Sequence, residues 1–289
     1  MSGSGLPKVS IIVPIHPGLH SAHNLKDWIS NFPKSGIAEV IAVFDGPNDH
    51  VQKYMQEELI SGKPIRILNV DFGNPGETRN RGLEEARGEW IAFWDSDDIG
   101  YVDSLISELN QVEDGIELII GRAELSSLGG SELILESDPK EVVFNPGIWR
   151  YIFKRESLSG TRFPALSSGE DQVFLARYGY LERNAIHSGR VLYKYFIGSE
   201  SQLTRNQSKL VDAKTAATLV MEASFLSNKW NSSYSTMSAR LLTSYLKRGP
   251  GSFMDRAKNV LQAILSYRDP SFVFSLIRTW IYSGKRGIR

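Results

Sequence analysis

The chain has 289 residues, 41% hydrophobic and 23% charged, a make-up that suits an ordinary globular protein of one large domain or two small ones. It contains no cysteine, which excludes disulfides, thiolate metal sites and cysteine nucleophiles and fits a reducing compartment. The even balance of 33 Lys+Arg and 33 Asp+Glu hides an asymmetry: residues 201–289 carry 14 basic and 4 acidic residues, a net of +10. A basic tail on an acidic body suggests a polyanionic partner, either a membrane surface or a nucleic acid; mutual attraction of the two halves is an equal alternative. The amino terminus, Met1-Ser-Gly-Ser-Gly-Leu-Pro-Lys8, lacks the apolar core of a signal peptide, and the expected location is cytoplasmic.

In chain order, Val9-Ser-Ile-Ile-Val13 reads as a strand ended by Pro14, and Leu25, Trp28, Ile29 and Phe32 follow helical spacing. A second strand spans 39–44 and stops at Asp45-Gly46-Pro47, followed by a helical stripe of Val51, Tyr54, Met55 and Leu59. A third strand covers 65–70, a helix 77–87, and a fourth strand lies in Glu89-Trp-Ile-Ala-Phe-Trp94. Val102, Leu105, Ile106, Leu109 and Val112 predict a helix, and residues 117–120 a fifth strand. Short strands are expected at 133–135, 142–144 and 191–196, and a helix from about Glu170. Beyond Asp212 the pattern is helical, with breaks at Gly249-Pro250-Gly251 and Asp269-Pro270. Continuous apolar strands alternating with amphipathic helices imply an α/β fold with a mostly parallel sheet flanked by helices. Ligands of such sheets bind beyond the carboxyl ends of the strands, which places Pro14 to His16, Asp45 and Asp95 to Asp98 on one rim.

The fourth strand runs into Asp95, Asp97 and Asp98, three carboxylates in four positions. Like charges that close repel one another unless a cation neutralises them, and oxygen donors suit Mg²⁺ or Mn²⁺ shared with a diphosphate. A turn with helix-capping aspartates is the competing reading.

The segment Gly76-Glu-Thr-Arg-Asn-Arg-Gly-Leu-Glu-Glu-Ala-Arg-Gly-Glu-Trp-Ile-Ala-Phe-Trp-Asp-Ser-Asp-Asp98 resembles the central signature of family 2 glycosyltransferases, which have the GT-A fold. Val9 to Pro14 is similar to that family's first strand, Phe44-Asp-Gly-Pro-Asn-Asp49 to its second strand end, and Gly169-Glu-Asp-Gln-Val-Phe-Leu-Ala-Arg177 to its later Glu-Asp helix. The resemblance covers about residues 8–200 and implies a metal-dependent, inverting transfer of a sugar from a nucleotide-diphosphate donor to a saccharide or lipid-linked acceptor. It implies Asp97 as the main ligand of Mn²⁺ or Mg²⁺ and Asp95 as a ribose or metal contact. It further implies a nucleobase bordered by Pro14, Ile15 and His16 and contacted by Asp45, with Arg79 reaching the nucleotide. Asp171 matches the general base, Glu170 a group that orients it or binds acceptor, and Asp98 a supporting or acceptor-side group. Direct displacement by one base inverts the anomeric carbon, and a divalent metal stabilises the departing diphosphate.

The chain departs from the family pattern at Phe44, where an aspartate is usual, and at His16. His16, His20 and His23 read better as a polar loop than as a metal cluster. Trp149 is an acceptor-side aromatic or, equally, a core tryptophan. The expected division is a GT-A domain over 1–210 and a basic helical extension over 211–289. In that extension Phe272, Val273, Leu276, Ile277 and Trp280 form a stripe followed by Lys285, Arg286 and Arg289. The stripe either packs on the domain or lies on an anionic membrane at its inner face. A nucleic-acid partner is disfavoured for want of a recognisable motif. The alternatives to transfer are a sugar-binding or assembly module without turnover, or a nucleotidyltransferase, although Pro14-Ile-His-Pro-Gly18 has no basic residue for that chemistry.

Overall fold

The computed structural model describes residues 6–16, 37–47, 64–127, 132–197, 210–226, 232–267 and 270–285. The helical stripes expected around 25–32 and 51–59, with His20 and His23, lie outside them. The chain divides into two compact units: 1–138, 147–162 and 182–201 form the first, and 139–146, 163–181 and 202–289 the second.

All described strands belong to the first unit. They are β1 (Val9–Ile15), β2 (Ala38–Asp45), β3 (Ile65–Val70), β4 (Trp90–Phe93), β5 (Ile99–Gly100), β6 (Leu118–Ser127), β7 (Glu132–Leu135), β8 (Tyr151–Lys154) and β9 (Ala185–Ile197). The sheet order is β3-β2-β1-β4-β8-β6-β9-β5, with β7 paired to β6. The strands β3, β2, β1 and β4 run parallel, in a register that sets Ile15 beside Phe44, Asp45 beside Val70 and Ile12 beside Phe93. Beyond β4 the sheet is mixed: β8 is antiparallel to β4 and β6, whereas β9 is parallel to β6. Every residue of β2 and β4 is buried, the signature of strands covered on both faces.

Helix α1 (Pro75–Glu85) begins where Asn74 accepts hydrogen bonds from the amides of Gly76 and Glu77 at 3.0 and 3.1 Å, with Pro75 at the first helical position. Its Gly82 explains the Arg-Asn-Arg-Gly spacing: a Cβ there would stand 2.4 Å from Cγ2 of Ile12, so only glycine lets α1 lie this close to β1. Helix α2 (Val102–Leu109) buries Val102, Leu105 and Leu109 in the core. At the opposite end of β1 from the predicted site, the buried Ser10 hydroxyl donates to Glu39 at 2.5 Å, and Glu39 pairs with Arg66 at 3.2 Å. Buried polar groups survive when matched in this way.

The second unit holds α3 (Pro139–Val142), α4 (Glu170–Tyr178), α5 (Asp212–Leu226), α6 (Ser232–Arg248), α7 (Phe253–Tyr267) and α8 (Pro270–Lys285). The expected strand at 142–144 is absent. Pro139 opens a single helical turn there, and the amides of Phe144 and Asn145 bond back to Glu141 and Val142. Val142, Val143 and Phe144 are buried in and beside that turn, because a run of three apolar residues does not distinguish strand from buried turn. Phe163 stacks on Phe174 at 4.0 Å, and the buried Ser238 hydroxyl of α6 donates to the Ala217 carbonyl of α5 at 3.0 Å.

Candidate active site

The parallel register carries the carboxyl ends of β1, β2 and β4 to one rim of the first unit. Pro14 is half-buried, Ile15 is buried in the core, and His16 is exposed at the strand end. Of that trio, His16 therefore offers a polar side chain to the rim, while Ile15 anchors the strand.

Asp45 ends β2, and both of its oxygens serve the chain itself. Oδ1 accepts from the amides of Phe72 and Gly73 at 2.7 and 2.9 Å, and Oδ2 from the Asn74 amide and the Thr78 hydroxyl at 3.0 and 2.8 Å. Burial by itself would raise this carboxyl's pKa, but the three amides and the hydroxyl together outweigh it and hold the pKa below its ordinary value. Asp45 thus ties the segment leading into α1 to the end of β2.

Arg79 projects from α1, and its Nη2 donates to Asp95 Oδ1 at 2.7 Å. The Arg79 side chain is nearly buried and that of Asp95 only partly so, leaving the pair less screened than a surface ion pair. The amide of Trp94 still bonds to Ile12 at 3.0 Å, continuing the ladder by one residue before the chain turns. From Asp95 to Asp98 the backbone makes that turn, with the Asp98 amide directed at the Asp95 carbonyl at 3.4 Å. The turn reading and the ligand reading are compatible here, since the turn is what presents the carboxylates.

The three aspartates do different things. Asp98 is 1% exposed and faces inward, accepting from the Tyr193 hydroxyl at 2.8 Å and the Phe196 amide at 2.9 Å. Burial first, then the charges of Asp97 and Asp95, raise its pKa well above the usual carboxylate range, despite those two hydrogen bonds. Asp95 and Asp97 stay partly exposed on the rim. The Tyr193 hydroxyl also accepts from the Asp95 amide at 3.0 Å, so one phenol braces both ends of the turn. Its ring stacks on Trp149 at 5.0 Å, and Trp149 stacks on Tyr195 at 5.5 Å. Trp149 is therefore a core tryptophan. Among the described residues no group of three or more acidic or histidine side chains is arranged to hold a metal on its own. Two rim carboxylates do fit Mg²⁺ or Mn²⁺ arriving with a diphosphate, because such ions commonly take one or two protein carboxylates and complete their shell with water and phosphate oxygens.

Glu170 and Asp171 belong to the second unit, in the first turn of α4. Glu170 is buried; Asp171 is half-buried, and its Oδ1 accepts from the Gln172 amide at 2.8 Å. Gly169 before them has a φ of +79°, and a Cβ there would stand 2.7 Å from Cβ of Ala216 and 2.8 Å from Cδ2 of Leu241. The Gly-Glu-Asp order is thus a helix start pressed against α5 and α6.

Sequence reasoning did not assign the brace made by Tyr193, placing residues 191–196 only as a short strand. It also missed the network beside it, in which Lys194 bridges Glu124 at 2.5 Å and Glu132 at 3.0 Å while the Tyr101 hydroxyl donates to Glu124 at 3.0 Å. Those bonds to Glu124 and Glu132 raise the Lys194 pKa and keep it charged. The signal for both was the alternation of polar and aromatic residues in β9, legible only once its neighbours were known.

The profile described as Glycosyl transferase family 2 matches residues 10–177, more than half of the chain. The protein EpsH of Bacillus subtilis (strain 168) is 28% identical over 233 residues, 73% of this chain and 67% of that protein. The UDP-Glc:alpha-D-GlcNAc-diphosphoundecaprenol beta-1,3-glucosyltransferase WfgD of Escherichia coli is 25% identical over 215 residues, 70% of this chain and 81% of that one. Among solved structures, S. aureus TarS 1–349 superposes with a TM-score of 0.65 at 18% identity, over 93% of this chain and 83% of that chain. TarS 1–349 has also been solved with UDP-GlcNAc. The mannosyltransferase PcManGT from Pyrobaculum calidifontis, solved with GDP-Man and Mn²⁺, gives a TM-score of 0.56 at 14% identity, over 99% of this chain and 83% of that chain. The structural likenesses establish the GT-A fold, and with the family match they settle the identity: the chain is a glycosyltransferase and belongs to glycosyl transferase family 2.

Proposed function

We propose that the protein moves a sugar from a nucleotide-diphosphate donor to a saccharide or lipid-linked acceptor in surface-glycan synthesis, with inversion at the anomeric carbon and with a divalent cation. It does so from the cytoplasm, against the inner face of a membrane. The observation that carries the reading is the braced Asp95–Asp98 turn at the strand rim: one aspartate is withdrawn into the core, and two stay at the surface where phosphate oxygens can complete a metal shell.

Asp97 and Asp95 would hold Mn²⁺ or Mg²⁺, which supplies charge neutralisation for the departing diphosphate. Arg79 fixes one oxygen of Asp95 and adds positive charge on the nucleotide side. The rim at Pro14 to His16 borders the base, and Asp45 shapes the same side by holding residues 72–74 in place. Asp171 accepts the proton of the attacking acceptor hydroxyl, and Glu170 beside it orients that exchange or meets the acceptor. Motif order supports these last two roles, as does the first-turn position of both residues. The domain reading that goes with them makes residues 1–210 the transferase domain and 211–289 its basic helical extension.

Thermal unfolding with UDP, GDP and their sugars, each with Mn²⁺ or with EDTA, tests the reading. A ligand that binds only the folded state stabilises it by about 2.7 kcal/mol at a hundred times its Kd. At least one nucleotide should raise Tm with Mn²⁺ and lose most of that shift in EDTA. Equal shifts in both would remove the metal from the proposal, and a product with retained anomeric configuration by NMR would remove the inversion.

A further inference from the structure

The second unit ends in two helices whose apolar residues do not all point inward. On α7, Val260, Ala263 and Tyr267 are buried, as are Phe272 and Thr279 on α8. Yet Met254 is 75% exposed, Phe274 74% and Leu265 68%, and Leu261, Val273 and Ile277 are exposed beside them. The stripe predicted for the last helix thus splits, with Phe272 packed and Val273 and Ile277 outside. Single exposed apolar residues need no explanation, but these follow helical spacing: Leu261 and Leu265 are four apart, as are Val273 and Ile277.

Beside them runs an open apolar groove of about 320 Å³, lined by Leu242 and Leu246 of α6, Val260 and Ile264 of α7, and Leu276 and Ile277 of α8. Ile277 belongs to both the exposed stripe and the groove. Leu261 stands one turn before Ile264, so stripe and groove form one continuous apolar face.

Charge selects the occupant. Lys258 is exposed one turn after Met254, Arg278 is exposed next to Ile277, and Lys247 and Arg248 are exposed at the end of α6. Residues 201–289 as a whole carry 14 basic residues against 4 acidic ones. An apolar face among basic side chains suits an anionic lipid surface, where apolar groups enter the acyl boundary and the cations meet the headgroups. A second copy of the chain docking by the same face would instead bring like charges together. Among the described residues no helix is long and apolar enough to cross a membrane, so the contact at issue is lateral.

We infer that α7 and α8 form a docking surface for an anionic bilayer, with lipid chains entering the groove between α6, α7 and α8. Its geometry stands independently of the transfer chemistry; its use in presenting a lipid-linked acceptor rests on the function proposed above.

Co-sedimentation of the full chain with vesicles tests it, using phosphatidylcholine alone and phosphatidylcholine with phosphatidylglycerol. The chain should sediment with the anionic vesicles at least tenfold more strongly than with the neutral ones, and less strongly as salt rises. The double variant Leu265→Glu/Phe274→Glu, altered only at exposed positions, should lose at least tenfold in that binding while keeping its Tm and its nucleotide shift. A wild-type chain that stays in the supernatant, or a double variant that sediments equally well, overturns the surface. So does light scattering that shows a dimer of the wild type which the double variant abolishes, since the occupant would then be a second copy. Nucleotide shifts measured on the same samples report the donor site separately, so either reading can fail while the other stands.

Discussion

The Tyr193 hydroxyl donates to Asp98 Oδ2 across 2.8 Å, and the same oxygen accepts from the Asp95 amide at 3.0 Å. A single buried phenol on β9 therefore fixes the turn that presents Asp95 and Asp97. Tyr193→Phe keeps the ring on Trp149 and removes both bonds. The buried Asp98 carboxyl and the Asp95 amide each lose a partner, at a cost of about 1–3 kcal/mol. We expect a lower Tm and, by calorimetric titration of UDP with Mn²⁺, an affinity reduced about tenfold or more. Unchanged affinity in a variant of lowered Tm would confine Tyr193 to a purely structural role.

Asp97 and Asp171 should separate donor binding from transfer. Asp97→Ala is expected to lose the Mn²⁺-dependent part of the nucleotide thermal shift together with turnover. Asp171→Asn should keep the shift and lower the rate by about a hundredfold or more, the usual range for removing a general base. Thermal unfolding and a donor-turnover assay on both variants decide it. Full activity in either one sinks the role assigned to that residue.

The bonds to Asp45 predict a defined pH dependence. Its folded-state pKa lies below the ordinary value of 3.8, so the folded state binds the proton less readily than the unfolded chain. Its contribution is present in full above about pH 4 and is lost as pH falls through the lower folded value. In Asp45→Asn an amide nitrogen at the Oδ2 position leaves the Asn74 amide facing a donor, while the Thr78 hydroxyl can turn to the Asn74 carbonyl, at a cost of about 1–3 kcal/mol. Urea unfolding of both proteins should give a constant stability difference from pH 7 to pH 5, narrowing only below about pH 4. A difference that narrows already near pH 6 would contradict the lowered pKa.

Gly169→Ala probes the start of the Glu-Asp helix. The new Cβ meets Ala216 and Leu241 inside 3 Å, and the positive φ disfavours any side chain. Overpacking and backbone strain together should cost about 2–4 kcal/mol. The check is Tm with far-ultraviolet circular dichroism, and an unchanged Tm would mean that α4 does not press on α5 and α6 as described.

Apolar runs and punctuation were sufficient for the parallel strands β1 to β4, and composition for α1, which runs over Pro75–Glu85 where 77–87 was expected. Strands β1, β2 and β4 are buried apolar runs and β3 is an apolar run only partly buried, and their local patterns point to one answer. The strand-end rim followed from parallel order alone, and the aspartates at 95, 97 and 98 were conspicuous because like charges rarely crowd without a reason. Strands β5 and β8 escaped notice because two- and four-residue strands are defined by the partners they find rather than by pattern. At Val142 to Phe144 the reverse happened, and an apolar run found a buried turn instead of a sheet.

The sequence by itself carried the family in its motifs, and it determined the succession of the parallel strands along the chain and the candidate carboxylates, because local chemistry and spacing carry that information. Only the tertiary structure decided what each carboxylate does. Asp45 became a clasp for the segment before α1, Asp98 an internal prop under Tyr193, and Asp95 and Asp97 the pair left at the rim. The reason is that a carboxylate's role depends on the donors and the burial it meets, and for Asp98 those are supplied by residues nearly a hundred positions away.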